Sequence, residues 1–139
     1  MTGRLVNKKV ELKLQSQEDV VTVRQLVRTH AVAIGLNLVD QTKFVTAASE
    51  LARNTVVHGG GGTAILEMVQ KSTKMGIRLT CEDRGPGIRD IEMALRDGFT
   101  TGAGLGLGLG GARRLANEFT IESEPGNGTR VVITQWARQ

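Results

Sequence analysis

The sequence predicts a two-layer α/β (α+β) sandwich, in which a mixed, mainly antiparallel sheet carries helices on one face. Residues 9–14 and 75–83 alternate apolar and polar side chains, which is typical of half-buried strands. Two successive segments, 16–35 and 39–58, show helical periodicity instead. Residues 119–136 contain a predicted hairpin, because the turn sequence PGNG interrupts them. The helices are therefore grouped, as a helical layer on one sheet face requires.

Length and composition indicate one domain spanning residues 1–139. No apolar run approaches about 18 residues and no signal-type apolar region is present, so we expect neither a membrane span nor secretion. The single cysteine, Cys81, can form no internal disulfide, which favours a cytoplasmic location. The basic pI of about 9.7 leaves nucleic-acid binding as an alternative. However, the 18 Lys and Arg are scattered without an aromatic stacking surface, so we expect no nucleic-acid partner.

The two long helices have recognisable ends. Ser16 and Asp19 form a variant of the capping box before the first helix, and Gly35 ends it. The second helix is predicted from about Val39 to His58. The remaining predicted elements are strands over 63–70, 75–83, 119–124 and 129–136, a short helix near 90–97, and a helix over 112–119.

Three polar residues of the second helix, Glu50, Asn54 and His58, are spaced four apart and so lie on one stripe. An amide oxygen such as that of Asn54 is a competent Mg²⁺ ligand beside phosphate oxygens. Glu50 can accept a proton from an attacking hydroxyl. Each residue alone is better explained as part of an exposed polar helix edge, so the stripe needs support from other segments.

The sequence DRGPG follows the predicted strand over 75–83. Asp83 shares a face of that strand with Ile77 and Cys81, so it continues a buried surface. A carboxylate there needs a hydrogen-bond donor, and the exocyclic amine of a purine is one. Gly85 and Gly87 let the backbone approach a flat ring. A turn that merely ends the strand is the alternative.

Residues 102–111 have glycine at nearly every second position. Such a stretch exposes consecutive backbone N–H groups before a helix, an arrangement that binds phosphate. A dinucleotide fingerprint can be fitted to Gly106, Gly108 and Gly111, but that motif follows a strand, which residues 97–104 do not resemble. A Walker A loop is excluded, because glycine is nowhere followed by Lys-Ser or Lys-Thr.

In this order, the motifs resemble the GHKL (Bergerat) ATP-binding fold of histidine kinases, gyrase-type ATPases and bacterial anti-sigma serine kinases. The resemblance lies in four boxes, namely Glu50, Asn54 and His58; Asp83, Gly85 and Gly87; Gly102, Gly104, Leu105, Gly106 and Leu107; and Gly126, Gly128 and Thr129. From about residue 19 onward, the chain is most similar to the stressosome switch serine/threonine kinases.

The resemblance implies ATP and Mg²⁺ as cofactors, with Glu50 as catalytic base and Asn54 as metal ligand. Asp83 would recognise the adenine amine, helped through water by Thr129. The stretch from Thr100 to Gly108 would form a phosphate lid, although Gly108 and Gly110 depart from the family pattern and predict a looser helix start. The implied cofactor-binding residues are Asn54, His58, Asp83, Gly85, Gly87, Ile88, Thr100, Thr101, Gly102, Ala103, Gly104, Leu105, Gly106, Leu107, Gly108 and Thr129.

The implied function is a kinase that phosphorylates a serine or threonine of a STAS-domain protein and, once released, activates a PP2C-type phosphatase. It would act as a partner switch in stress and sigma-factor signalling. A nucleotide-gated binding module that sequesters or activates these partners without phosphotransfer is the alternative, and the presence of Glu50 favours catalysis. A histidine kinase would need a helical phosphoacceptor domain and a gyrase-type ATPase a transducer domain, and we expect neither in this chain.

Overall fold

The structure, a computed structural model, describes residues 9–96 and 108–138. Across these ranges no helix has the length and apolar character needed to cross a membrane. The elements in chain order are β1 (Lys9–Leu14), α1 (Gln17–Ala33), α2 (Leu38–Val57), β2 (Gly62–Lys71), β3 (Lys74–Asp83), α3 (Ile91–Ala94), α4 (Gly108–Leu115), β4 (Glu118–Ser123) and β5 (Thr129–Trp136).

The five described strands form one sheet in the order β1-β2-β3-β5-β4, and every neighbouring pair is antiparallel. The two-layer prediction is confirmed, while the parallel pairing that a mixed sheet would contain is not found among these strands. The register pairs Asp83 with Gly62 of β2 on one side and with Thr129 of β5 on the other. The end of β3 is therefore held between two strands from distant parts of the chain.

Local hydrogen bonds fix the helix starts. The predicted capping box is confirmed, because the Asp19 N–H donates to the Ser16 hydroxyl and the Ser16 N–H donates to the Asp19 carboxylate. Helix α2 begins slightly before the predicted start, because the side chain of Asn37 accepts a hydrogen bond from the Asp40 N–H at 2.8 Å. Asp90 caps α3 in the same way, through the Met93 N–H.

The hydrophobic core lies between the helices and the inward face of the sheet. Helix α2 contacts both α1 and α4, so it is the central helix of the layer. The period of two in each strand sends alternate apolar side chains into this core. Fully buried members include Val23, Val27, Phe44 and Leu51 from the helices and Leu14, Leu66, Ile77, Leu79 and Ile133 from the sheet.

The predicted helix over 112–119 has the wrong bounds, because α4 runs over Gly108–Leu115 and β4 begins at Glu118. The side chain of Asn117 accepts a hydrogen bond from the Trp136 N–H at 2.8 Å, and the Asn117 N–H donates to the Gln135 side chain at 2.9 Å. These long-range bonds tether the chain to β5 and turn it into a strand. Tertiary contacts thus override the helical pattern.

The glycines at the start of α4 have a packing role. A Cβ at Gly110 would collide with the carbonyl oxygen of Leu95, so glycine permits close contact between α4 and the chain that follows α3. Gly110 is also buried. This packing accounts for glycine at position 110, and the expectation of a looser helix start stays a prediction.

An ion pair between the buried carboxylate of Asp40 and the largely exposed side chain of Arg138 connects the last described residues to α2. Asp40 is 2% exposed, and its carboxylate accepts hydrogen bonds from Arg138 Nε at 2.8 Å and Nη2 at 3.3 Å. We expect Arg138→Met to lower the free energy of unfolding by about 1–2 kcal/mol, because a buried carboxylate loses charged donors. Chemical denaturation measures the difference.

Arg130→Met is the matched control, because the ion pairs of Arg130 with Glu82 and Glu122 are solvent-exposed on both sides. Its effect should stay below about 1 kcal/mol. The double variant Asp40→Asn/Arg138→Met should regain part of the stability lost in Arg138→Met. Equal losses in Arg138→Met and Arg130→Met would contradict the prediction.

Candidate functional site

A cavity of about 380 Å³ opens between the C-terminal half of α2, the end of β3, the following loop, α3 and the start of α4. It brings together residues that are up to 79 positions apart in sequence, from Glu50 to Thr129. The sequence-predicted residues that line it are Glu50, Asn54, His58, Asp83, Gly87, Ile88, Gly108 and Thr129. The stripe on α2 and the loop after β3 therefore face one shared space.

The remaining predicted positions fall into two groups, those outside the described residues and one described residue that does not line the cavity. Thr100, Thr101 and the residues through Leu107 lie outside the described ranges, so their assignment to a phosphate lid stays a prediction. Gly85 is described but is not a lining residue. A Cβ on Gly85 would lie 2.8 Å from the Cα of Gly59. Glycine at position 85 therefore allows the loop after β3 to pack closely against the loop after α2.

Sequence reasoning missed other lining residues, among them Arg53, Val57 and Met93. Arg53 and Val57 follow Glu50 by three and seven positions, and this helical spacing was a signal that could have identified them. Met93 lies on the short helix α3, whose position over the cavity depends on the tertiary fold. No local pattern indicates it.

Glu50 is the buried first residue of the α2 stripe. Its side chain is 6% exposed, and its Oε2 atom has no hydrogen-bond partner within the described part of the chain. Arg53 forms an ion pair with it, with Nη2 3.7 Å from Oε2. A buried acceptor without a donor is costly, so this atom is suited to accept a proton or hydrogen bond from a bound group.

Asn54 and His58 lie at the end of α2. The backbone carbonyl of Asn54 accepts from the N–H groups of His58 at 2.9 Å and Gly59 at 3.2 Å, which closes the helix. His58 is the C-cap residue and is exposed. Asn54 therefore lines the cavity from the last turn of α2.

Asp83 is 9% exposed at the end of β3. Its Oδ1 accepts a hydrogen bond from the Gly85 N–H at 2.9 Å. Burial raises the pKa of this carboxyl above its usual value, and hydrogen bonds from the backbone of Gly85 and Thr129 partly oppose the increase. The carboxylate keeps unused acceptor capacity, since its two oxygens offer about four lone-pair positions.

The four glycines after α2 give the chain its path beside Asp83. A Cβ at Gly59 would collide with the Asp83 carboxyl group, so only glycine fits there. Gly60 and Gly61 have φ values of +75° and +107°, which favour glycine, and they turn the chain into β2. The run thus lets the chain leave α2 without displacing Asp83 or covering the cavity.

Ser123 is a supporting residue that the sequence did not reveal. Its hydroxyl accepts from the Ile88 N–H at 2.8 Å and donates to the Gly128 carbonyl at 2.9 Å. It also lies 2.7 Å from the Thr129 hydroxyl. The Ser123 hydroxyl has a single proton, which it donates to the Gly128 carbonyl. The Thr129 hydroxyl therefore donates to the Ser123 oxygen, and the Thr129 oxygen can still accept a hydrogen bond. Ser123 thereby connects the β4–β5 hairpin to the loop after β3.

The family model described as histidine kinase-, DNA gyrase B-, and HSP90-like ATPase matches residues 39–139. Serine/threonine-protein kinase RsbT of Bacillus subtilis (strain 168) is 42% identical over 127 residues, which cover 91% of this chain and 96% of that protein. Anti-sigma F factor of Thermoanaerobacter sp. (strain X514) is 30% identical, covering 81% of this chain and 82% of that protein. The resemblance drawn from the sequence motifs is therefore confirmed.

Two solved structures share the fold. The RsbU and RsbW domains of a Mycobacterium tuberculosis protein superpose with a TM-score of 0.66 at 22% identity. The match covers 96% of this chain but only 34% of that one. The mycobacterial sensor histidine kinase MprB superposes with a TM-score of 0.54 at 19% identity, covering 96% and 99% of the two chains.

The raised pKa of Asp83 predicts how stability depends on pH in the absence of ligand. The folded state holds the Asp83 proton more tightly than the unfolded state, whose carboxyl has a pKa near 3.8. Stability is therefore lost as pH rises from 3.8 through the folded pKa. We expect Asp83→Asn to increase the free energy of unfolding at pH 7, with the gain disappearing below pH 3.8.

Denaturant titrations at several pH values measure this difference. Glu82→Gln is the matched control, because Glu82 precedes Asp83 on β3 but is exposed on the opposite face. It should show no comparable gain. A stability difference between Asp83→Asn and the unmodified protein that does not change with pH would rule out the explanation by burial.

Proposed function

The chain belongs to the histidine kinase-, DNA gyrase B- and HSP90-like ATPase family, and from this premise we propose that it is an ATP-dependent serine/threonine protein kinase acting on a STAS-domain partner. The single observation that carries the proposal is the convergence of Glu50, Asn54 and Asp83 on one cavity. Its 42% identity to a serine/threonine-protein kinase, over nearly all of both chains, supports the same activity.

The adenine end of ATP is proposed to bind beside Asp83. The buried carboxylate offers a charged acceptor for the exocyclic amine, and the Thr129 oxygen is free to accept from a bridging water. Gly87 and Ile88 line the same part of the cavity and supply backbone and apolar contact. A carboxylate that is costly in the free protein would thus gain a donor on binding.

The residues present fit a magnesium ion held mainly by the nucleotide. Within residues 9–96 and 108–138, no group of three or more His, Cys, Asp or Glu side chains could form a metal cluster. The Asn54 amide oxygen is a hard ligand of the kind Mg²⁺ accepts beside phosphate oxygens and waters. When bound, Mg²⁺ would neutralise charge on the transferring phosphoryl group. We therefore propose Asn54 as the protein ligand.

Glu50 is proposed as the catalytic base. In the reaction, the oxygen of a serine or threonine hydroxyl on the partner bonds to the γ-phosphorus while the bond to the β–γ bridging oxygen breaks. The hydroxyl proton passes to Glu50, and ADP leaves. The buried Oε2 atom, without a hydrogen-bond donor among the described residues, supports this role. Positioning and charge neutralisation supply most of the acceleration.

The phosphate lid is proposed to run from Thr100 to Gly108. Gly108 begins α4 and lines the cavity, which supports an approach of the triphosphate to this end of the helix. The residues from Thr100 to Leu107 are assigned by resemblance alone. His58 lines the cavity and is proposed to contact the nucleotide.

The proposed partners are a STAS-domain protein as substrate and a PP2C-type phosphatase as the target of the released kinase. Relatives named anti-sigma F factor support a role in sigma-factor signalling. The single buried cysteine agrees with the proposed cytoplasmic location in a stressosome pathway. We propose no nucleic-acid or membrane partner. Binding and release of partners without essential phosphotransfer is the second candidate, supported by the same relatives.

Glu50→Gln separates these two candidates. Candidate STAS-domain proteins are incubated with radiolabelled Mg-ATP, and the protein that acquires label on serine or threonine is the substrate. We expect Glu50→Gln to reduce the rate of label transfer by about 100-fold or more, because an amide cannot accept the proton. Affinity for Mg-ATP, measured by calorimetry, should change less than about threefold, since Glu50 is not proposed to contact the nucleotide.

Ser49→Ala is the control, because Ser49 neighbours Glu50 on α2, does not line the cavity, and donates its hydroxyl to the Val45 carbonyl of the same helix. It should leave transfer almost unchanged. If no STAS-domain protein accepted label while partners still bound in a nucleotide-dependent way, the binding module would be the correct function. Equal loss of binding and transfer in Glu50→Gln would contradict the role of Glu50 as base.

Asp83→Asn tests the adenine site. Loss of a charged acceptor costs about 1.5–3 kcal/mol, so we expect ATP affinity to fall by about 10- to 100-fold. Calorimetry with Mg-ATP measures the effect, and Glu82→Gln again serves as control. Because the same Asp83→Asn variant is predicted to be more stable without ligand, weaker binding could not be attributed to unfolding. Unchanged affinity would show that Asp83 does not bind adenine.

A further inference from the structure

Glu50 and Arg53 form a charge pair on the wall of the cavity. They are three residues apart on α2, so their side chains leave the same face of the helix. Arg53 Nη2 lies 3.7 Å from Glu50 Oε2, and the Arg53 side chain is only 21% exposed. Both residues line the cavity. The motifs of the second helix do not include Arg53, and the proposed chemistry has not used it.

The distance between the Arg53 and Glu50 side chains determines the kind of interaction that they make. At 3.7 Å the two atoms are too far apart for a hydrogen bond, so the interaction is electrostatic. A nearby positive charge offsets part of the cost of burying the Glu50 carboxylate. At the same time it leaves the lone pairs of Oε2 unused, as its lack of a hydrogen-bond donor in the described residues indicates. The charge of Arg53 therefore stabilises the Glu50 carboxylate, while the Oε2 atom can still accept a proton.

We propose that Arg53 is a positioning residue that orients the Glu50 carboxylate toward the incoming hydroxyl and stabilises its charge beside the triphosphate of ATP. This inference rests on the proposed kinase function. Without Arg53, the carboxylate would be repelled by the phosphate groups that enter the same cavity. Glu50 would then turn away from the reaction path or lose its charge. Arg53 acts through Glu50 and contacts no reacting atom.

The main competing role is direct contact between Arg53 and the ATP phosphates. The two roles differ in a measurable way. A phosphate ligand contributes to ATP affinity whether or not Glu50 is charged. A positioning residue affects transfer only while Glu50 is there to be positioned, because residues that act as a unit are not additive.

A double-mutant cycle distinguishes them. The four proteins are the unmodified chain, Glu50→Gln, Arg53→Met and the double variant. A fifth variant, Arg53→Lys, keeps the positive charge on a shorter side chain. Single-turnover transfer of label from Mg-ATP to the STAS-domain substrate is measured for each, together with Mg-ATP affinity by calorimetry. Denaturant titration verifies that each variant is folded. Where Arg53→Met does not fold, Arg53→Gln takes its place in the cycle.

We expect Arg53→Met to slow transfer by about 10- to 100-fold, the range that loss of orientation produces, with less than a threefold change in ATP affinity. Arg53→Lys should recover most of the rate. In the Glu50→Gln background, Arg53→Met should have no further effect. These three results together support the positioning role, which a purely structural contribution to folding would not reproduce.

Two outcomes would overturn the inference while leaving the proposed function intact. In the first, Glu50→Gln abolishes transfer but Arg53→Met transfers at the normal rate. In the second, Arg53→Met weakens ATP binding as much as transfer, or its effect adds to that of Glu50→Gln. If Glu50→Gln itself transfers normally, the assignment of the base fails and the inference fails with it.

Discussion

The buried carboxylate of Asp83 imposes the constraint on which the rest of the site depends. A charge at the end of a central strand is tolerated only because backbone donors reach it and no side chain crowds it. Gly59 faces the carboxyl group directly, and Gly128 passes so close to the Asp83 carbonyl that a side chain would collide with it. The two glycines therefore lie in two separate loops, yet both make room for the same residue.

The two carboxylates of the candidate site lie on the boundary between the core and the cavity, and burying them there costs free energy. Glu50 belongs to a helix whose neighbouring positions, Phe44, Ala48 and Leu51, are fully buried. Asp83 likewise continues the apolar row of Ile77 and Leu79 on β3. In both elements a hydrophobic pattern brings a carboxylate to a place where an apolar residue would be more stable. Rigid packing then gives the carboxylates fixed positions without any movement of the backbone.

Much of this could be predicted from sequence, because periodicity and capping are local. Alternation in β3 was sufficient to place Asp83 on the buried face, and the spacing of Glu50 and Asn54 was sufficient to place them together. The contribution of Ser123 could not be predicted, since it depends on a hydrogen bond to Ile88, 35 residues earlier. The bounds of α4 were wrong for the same reason, because Asn117 is bound to β5. Contacts between segments that are distant in sequence cannot be identified from a local sequence pattern.

The strand order carries a consequence for how the molecule is made. β5 lies between β3 and β4, although it follows both in the chain. During synthesis, β3 has no partner on that side until the ribosome has released the segment that becomes β5. Thr129 can pair with Asp83 only after that moment, so a shorter nascent chain lacks one wall of the cavity beside Asp83. The side of β3 that faces β5 is therefore completed only after β4 and β5 have both been made.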